Sequence, residues 1–262
     1  MLVFIGLGLH GGGISSKGLQ LAKEADTVYA ELYTSLVPEF DLKELEQKIG
    51  KSIHVVNRKT IEEQPDEILR AAKTCKVAFL VPGDPMVATT HIDLRLRAAK
   101  AGVETEVIHA ASIASAAPGL AGLQSYKFGP SATVPFPDNS STRPYEILSE
   151  NRDRGLHTLL LLDIRAEEGR AMTAGEAIRI MFELEEKLKK NAFTKNTLAV
   201  VVARAGSDDA MVKADKIEKL QAVNFGPPPH VLIVPGNLHF MEAEALKVFA
   251  GAPEADLDEH GS

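Results

Sequence analysis

The chain has 262 residues, a net charge of −7 at pH 7, 45% hydrophobic residues and 25% charged ones, ordinary proportions for a globular protein. Domains run to roughly 100–200 residues, so the length suits one large domain or two modest ones, and no apolar run approaches the roughly 20 residues that span a bilayer. The acidic balance argues against direct nucleic-acid binding, which draws on a basic stripe.

The densest basic stretch, Lys187-Leu188-Lys189-Lys190, ends a helical pattern, where cations complement the helix dipole. The single cysteine, Cys75, excludes an internal disulfide and is expected to be a packing thiol in a reducing, cytoplasmic compartment. No Cys/His cluster has metal-ligand spacing, so no metal is expected. The first residues carry no basic region and read as a strand rather than a signal peptide.

In chain order, Leu2-Val3-Phe4-Ile5 is a strand that runs into glycines, followed by a helix over residues 15–25. Thr27-Val28-Tyr29-Ala30 is a second strand, residues 42–49 a helix and Ile53-His54-Val55-Val56 a third strand. Residues 65–74 are helical, with proline near the first turn, where it is tolerated. The nearly continuous apolar run over residues 76–81 suits a central strand covered on both faces. A helix over residues 91–101 stops at Gly102, and residues 104–108 form a fifth strand. This alternation predicts an α/β domain with a mostly parallel sheet.

In the second half, residues 131–135 are a strand ended by proline, and residues 137–144 a loop rich in Pro, Asn and Ser. Residues 157–163 form a strong apolar strand. Thr173-Ala174-Gly175-Glu176 fits a capping box, and Ile178, Met181, Phe182, Leu184 and Leu188 then mark one helical face. Strands follow at residues 197–203 and 231–234, then a helix over residues 242–250. The acidic residues 254–262 are expected to be a frayed tail. A boundary near residues 108–112 divides the chain into an N-terminal α/β domain over residues 1–110 and a C-terminal α/β domain over residues 111–262.

Two loops invite chemistry. Gly6-Leu7-Gly8-Leu9-His10-Gly11 follows a strand, precedes a helix and satisfies G-x-G-x-x-G, with Glu31 about 20 residues on. Alone it reads either as a tight strand-to-helix turn or as a site for an adenosine-containing ligand. The second loop, Pro82-Gly83-Asp84-Pro85, falls at the carboxyl end of the apolar strand, where open α/β sheets bind ligands. Two prolines stiffen it, Gly83 permits a backbone that other residues would strain, and Asp84 is a fixed acceptor for a hydroxyl or a positive charge.

These two loops together resemble the tetrapyrrole (corrin/porphyrin) methylase superfamily. Further segments match one branch of it in order: Ala30-Glu31-Leu32-Tyr33-Thr34-Ser35, Ala88-Thr89-Thr90-His91, Val107-Ile108-His109-Ala110, Tyr126-Lys127-Phe128-Gly129, Gly155-Leu156-His157-Thr158, Ala203-Arg204-Ala205-Gly206-Ser207, and Pro228-Pro229-His230 leading into Val234-Pro235-Gly236. The resemblance implies two α/β domains with S-adenosylmethionine in the cleft between them and S-adenosylhomocysteine as product. It carries the cofactor contacts to Leu9, Asp84, Val87, Ser112, Ile113, Leu162, Ala205 and His230. It implies N-methylation of the amino group of a 3-carboxy-3-aminopropyl-modified histidine on translation elongation factor 2, by a homodimer.

Asp163 and Tyr33 are the candidate catalytic residues: Asp163 either faces the substrate amine or is structural, and Tyr33 either lines the acceptor site or packs. His109 reads as a structural hydrogen-bonder. Two other readings stand beside this one: methylation of a tetrapyrrole ring carbon, and an NAD-dependent oxidoreductase using Gly6, Gly8 and Gly11 with Glu31 on the ribose.

Overall fold

A computed structural model describes residues 1–257. The chain divides into two units, Met1–Ile113 with Ile164–Arg170, and Ala114–Asp163 with Ala171 onward. The second half of the chain therefore contributes one short segment to the first unit.

The first unit alternates β1 (Leu2–Gly6), α1 (Ser16–Glu24), β2 (Thr27–Glu31), α2 (Leu42–Ile49), β3 (Ile53–Val56), α3 (Arg58–Glu62), α4 (Asp66–Thr74), β4 (Val77–Val81), α5 (His91–Lys100) and β5 (Thr105–Ile108). The sheet order is β3-β2-β4-β1-β5, and every pairing is parallel. Every residue of β1 and β4 is buried because two apolar layers flank the sheet. Phe4, Phe79, Ile68 and Leu94 fill one side; Val3, Ile5, Leu45 and Leu80 fill the other. That is why these strands read as unbroken apolar runs rather than as alternation.

Local signals place the helices. Ser15 accepts from Gly18 N at the start of α1. Asp41 accepts from the N–H groups of Lys43 and Glu44, and Gly50 closes α2 in the left-handed conformation. Cys75 packs against the first core layer, as expected of a packing thiol.

The second unit contains α6 (Ile113–Ala121), β6 (Ala132–Val134), α7 (Arg143–Asp153), β7 (Thr158–Leu162), α8 (Ala174–Leu188), β10 (Leu198–Ala203), β11 (Met211–Lys216), α9 (Ile217–Leu220), β12 (His230–Val234) and α10 (Phe240–Ala250); the short strands β8 (Ile164–Arg165) and β9 (Arg170–Ala171) lie between β7 and α8. Its sheet runs β11-β10-β12-β7-β6. The β6–β7 pair is parallel and the other three are antiparallel. The predicted capping box forms: Thr173 Oγ1 accepts from Glu176 N at 3.3 Å, and Glu176 accepts from Thr173 N at 2.8 Å. On α8, Ile178 and Met181 are buried, with Phe182, Leu184 and Leu188 packed beside them.

A buried ionic group ties α10 to the residue that precedes β7 and to the segment around Lys127. Glu242, 1% exposed, pairs with Lys127 and with His157 Nε2. It also accepts from Gln124 N and His239 N. Burial alone would raise the Glu242 carboxyl, but Lys127, the two N–H donors and His157 outweigh it and pull its pKa down to about 2.

The tail expectation is corrected over its described part. Glu254–Asp256 forms a 3-10 turn, Asp256 is buried and paired with Lys216 at 3.0 Å, and Leu257 is buried. Residues 258–262 of that expectation lie outside the described residues.

Candidate active site

The expected contact residues of the first unit meet at one end of its sheet. β1 lies between β4 and β5, all parallel. The segments that follow these strands, carrying Leu9, Asp84 with Val87, and His109 through Ile113, therefore emerge at the same carboxyl edge. The first two loops are joined directly: Gly8 N donates to Gly83 O at 3.1 Å, and Gly83 N to Gly8 O at 2.9 Å.

The glycines serve this packing. A Cβ on Gly6 would stand 2.6 Å from Gly83 O, and one on Gly8, which has φ +74°, 2.8 Å from Gly13 O. Glu31 is wholly buried and accepts from Tyr33 N and Thr34 N at 3.0 and 3.1 Å. It is turned into its own loop, away from the ribose role of the NAD reading.

Asp84 is 6% exposed. Its Oδ1 accepts from Met86 N at 2.9 Å; its Oδ2 accepts from Ala110 N at 3.2 Å and from His109 Nδ1 at 2.8 Å. The carboxylate thus clamps the β4 loop to the β5 loop. This role was not evident from sequence, which left Asp84 as an acceptor awaiting a ligand. His109 is the structural hydrogen-bonder the sequence suggested, although its side chain is 72% exposed. Beside the clamp, Val87 is 39% exposed and Ala88 holds φ +55°, a strained backbone of the kind that collects at functional sites. Gly83 has φ +66° and open space where a Cβ would stand, bounded only by Ala111 O at 4.0 Å.

In the second unit, β12 lies between β7 and β10, with Val231 paired to Leu161 and His230 to Ala203. Leu162, His230 and Ala205 are thereby gathered at one end of that sheet. His230 Nδ1 accepts from Ala174 N at 3.1 Å, and Nε2 donates to Pro227 O at 3.1 Å. Burial lowers its pKa, and both ring nitrogens are engaged, so His230 is not a general base. Asp163 accepts from Phe136 N at 3.2 Å while its backbone bonds Val134 and Met172; it braces the end of β7.

Two features went unread in the sequence. Arg204, at φ +50°, staples the loop that holds Ala205: its guanidinium reaches Asp209, Phe225 O and Pro227 O. A second buried cluster surrounds Glu31. His91 is wholly buried, with Nδ1 3.3 Å from Pro85 O and Nε2 3.5 Å from Glu31 Oε1. Tyr33 is 4% exposed beneath the Arg58 guanidinium, and its hydroxyl has no protein partner. Burial raises its pKa, leaving it a neutral phenol.

The three loops of the first unit, residues 6–13, 82–88 and 109–113, contain no Lys or Arg. They offer backbone, apolar side chains, the polar groups of His10, His109 and Ser112, and one negative charge. Among the described residues no group of His, Cys, Asp and Glu is placed to hold a metal ion, and no helix is long and apolar enough to cross a membrane.

The chain belongs to the tetrapyrrole (corrin/porphyrin) methylase family, whose model matches residues 1–221. Within that family its relatives include diphthine synthases. The one from Methanosarcina acetivorans is 48% identical, with 99% of each chain covered; the one from Methanothermobacter thermautotrophicus is 49% identical, with 98% of each covered. Among solved structures, a diphthine synthase superposes with a TM-score of 0.91 at 42% identity, over 99% of both chains. A putative diphthine synthase from Entamoeba histolytica gives 0.85 at 35% identity.

Proposed function

We propose that this protein methylates the amino group of the 3-carboxy-3-aminopropyl-histidine intermediate on translation elongation factor 2, giving diphthine, with S-adenosylmethionine as donor. The observation that carries the reading is the 48% identity to a diphthine synthase along 99% of both chains. A tetrapyrrole carbon as acceptor has no comparable support. The donor contacts are Leu9, Asp84, Val87, Ser112 and Ile113 in the first unit, and Leu162, Ala205 and His230 in the second.

When bound, S-adenosylmethionine supplies an electrophilic methyl group whose leaving group is a neutral thioether. The protein's task is positioning, which can contribute on the order of 7–11 kcal/mol to such a step. The Asp84 clamp holds the β4 loop in one conformation, and Arg204 does the same for the loop bearing Ala205. His230 contributes its backbone and ring face, since both its nitrogens bond within the protein. A free α-amino group titrates at about 7.7–8.0, so a fraction is already neutral near pH 7. Water or a carboxylate, with Asp163 the candidate, is a sufficient proton acceptor. Tyr33, with its hydroxyl lacking a protein partner, is the candidate for a contact to the acceptor.

A homodimer belongs to the same proposal. Phe240, Met241, Val248 and Phe249 of α10 expose 61–76% of their surface, and a second copy is the occupant proposed for that face. The direct test incubates the protein with labelled S-adenosylmethionine and elongation factor 2 carrying the unmethylated precursor, beside factor whose target histidine is replaced. Label on the first alone is expected; equal label on both, or none on either, refutes the reading.

A further inference from the structure

Two ionisable side chains in the first unit, Glu31 and His91, are wholly buried and have no part in the chemistry above. Glu31 ends β2 and His91 begins α5, and they face each other at 3.5 Å. Both elements border the loop that carries Asp84 and Val87. The hydrogen bonds around the pair leave one gap. Glu31 Oε2 accepts from Tyr33 N and Thr34 N, and Oε1 accepts from Thr34 Oγ1. Pro85 O stands 3.3 Å from His91 Nδ1, and a carbonyl can only accept, so Nδ1 carries a proton. In the neutral ring Nε2 is then an acceptor. It lacks a partner, and the nearest group is the Glu31 oxygen, itself an acceptor when ionised.

We propose that Glu31 is a neutral carboxylic acid whose proton lies on Oε1, directed at His91 Nε2, and that this pair is the positioning device that fixes Pro85 and hence the donor-binding loop. One proton satisfies both side chains of the pair. Oε1–H donates to Nε2 while Oε1 still accepts from Thr34, Oε2 keeps its two N–H donors, and Nδ1–H donates to Pro85 O. Thr89 Oγ1 donates to the same carbonyl at 3.0 Å, so Pro85 is held from two sides. The alternative, imidazolium against carboxylate, buries two charges at a desolvation cost that the neutral pair avoids.

Burial favours the neutral form of both groups, raising the Glu31 carboxyl and holding the His91 ring down to about 4. The charged neighbours acting on them are Arg58, which opposes the shift of Glu31, and Glu62, which opposes that of His91. The Phe79 ring, nearly perpendicular to the imidazole with centroids 5.4 Å apart, closes the cluster.

This inference rests on the reading of residues 82–88 as a donor contact, and the experiment separates the two. Full-length protein and the variants Glu31→Gln, Glu31→Ala and His91→Phe are titrated calorimetrically with S-adenosylhomocysteine, with thermal melts as the folding control. Glutamine mimics the neutral acid: its amide donates to Nε2 and its carbonyl accepts the two N–H groups. Glu31→Gln is therefore expected to bind within about threefold of the parent, and Glu31→Ala and His91→Phe at least tenfold more weakly while folded. Parent-like binding by folded Glu31→Ala, or Glu31→Gln as weak as Glu31→Ala, overturns the proposal. The ¹⁵N shifts of His91 decide the proton's place whether or not the alanine variant folds: a neutral ring with Nδ1 protonated supports it, and an imidazolium overturns it. If the parent itself binds no S-adenosylhomocysteine, the donor reading fails, and the ¹⁵N shifts still test the pair.

Discussion

Replacing Asp84 by asparagine tests whether the carboxylate clamp between the β4 and β5 loops controls donor binding. The change is nearly isosteric, so packing is kept and only hydrogen bonding is altered. Asparagine has one acceptor oxygen where aspartate has two. With that oxygen on Met86 N, the amide NH₂ faces Ala110 N–H, a donor against a donor, at the position where Oδ2 now accepts at 3.2 Å. His109 adapts by accepting through Nδ1, but Ala110 N cannot. With the amide reversed, Met86 N loses its partner instead. Either way one hydrogen bond to a charged group is lost, worth roughly 1.5–3 kcal/mol. If that bond is what holds the loop in its binding conformation, the dissociation constant for S-adenosylhomocysteine rises about 10- to 150-fold, at 1.4 kcal/mol per tenfold. Calorimetric titration gives the constant, and a parallel melt shows that the protein is folded. A folded Asp84→Asn protein with parent affinity would refute both the clamp and the assignment of this loop to the donor site.

Three further outcomes are expected. Gly8→Ala meets both a positive φ and a 2.8 Å approach to Gly13 O, a strain of order 1–3 kcal/mol, and should weaken donor binding and lower the melting temperature together; an unchanged melt contradicts the close-packing account of this glycine. Glu242, held down to about 2 against an ordinary 4.5, contributes ~3 kcal/mol of stability. Because its folded pKa is the lower one, that contribution is complete above pH 4.5 and is lost as pH falls toward 2, so urea midpoints of Glu242→Gln and parent should differ at pH 6 and converge near pH 2. Phe249→Asp places a charge on the exposed face of α10 and should shift light-scattering mass from dimer to monomer without unfolding the chain; a parent that is already monomeric rejects the dimer.

Most strands of the first unit could be read from the sequence because burial on both faces writes them as apolar runs, and the capping box of α8 announced itself through Thr173 and Glu176. β11 was not legible: it pairs only with β10, and Ala214 is its one buried residue, so Met211-Val212-Lys213-Ala214-Asp215-Lys216 offers no apolar stripe. α7 was hidden by Pro144, read as part of a loop although it occupies the first turn of the helix, and α6 by Pro118 in its interior. At the candidate site, the loops and residue types were visible through family resemblance, but the partners were not. Nothing local in the sequence says that Asp84 is bonded to His109 and Ala110, or that Glu31 faces His91, because parallel strand order brings these together from residues far apart in the chain.

The return of Ile164–Arg170 to the first unit bears on how the protein is made. Ala166 packs against the core that contains Tyr33 and Phe79, and Glu167 accepts from Arg58 N at 3.2 Å. A ribosome that has delivered the five strands of this sheet has not yet delivered the segment that covers part of it. The first unit is finished only once residue 170 has left the exit tunnel, with α7 and β7 already synthesised, so an N-terminal fragment cut at residue 113 would expose that flank of its core.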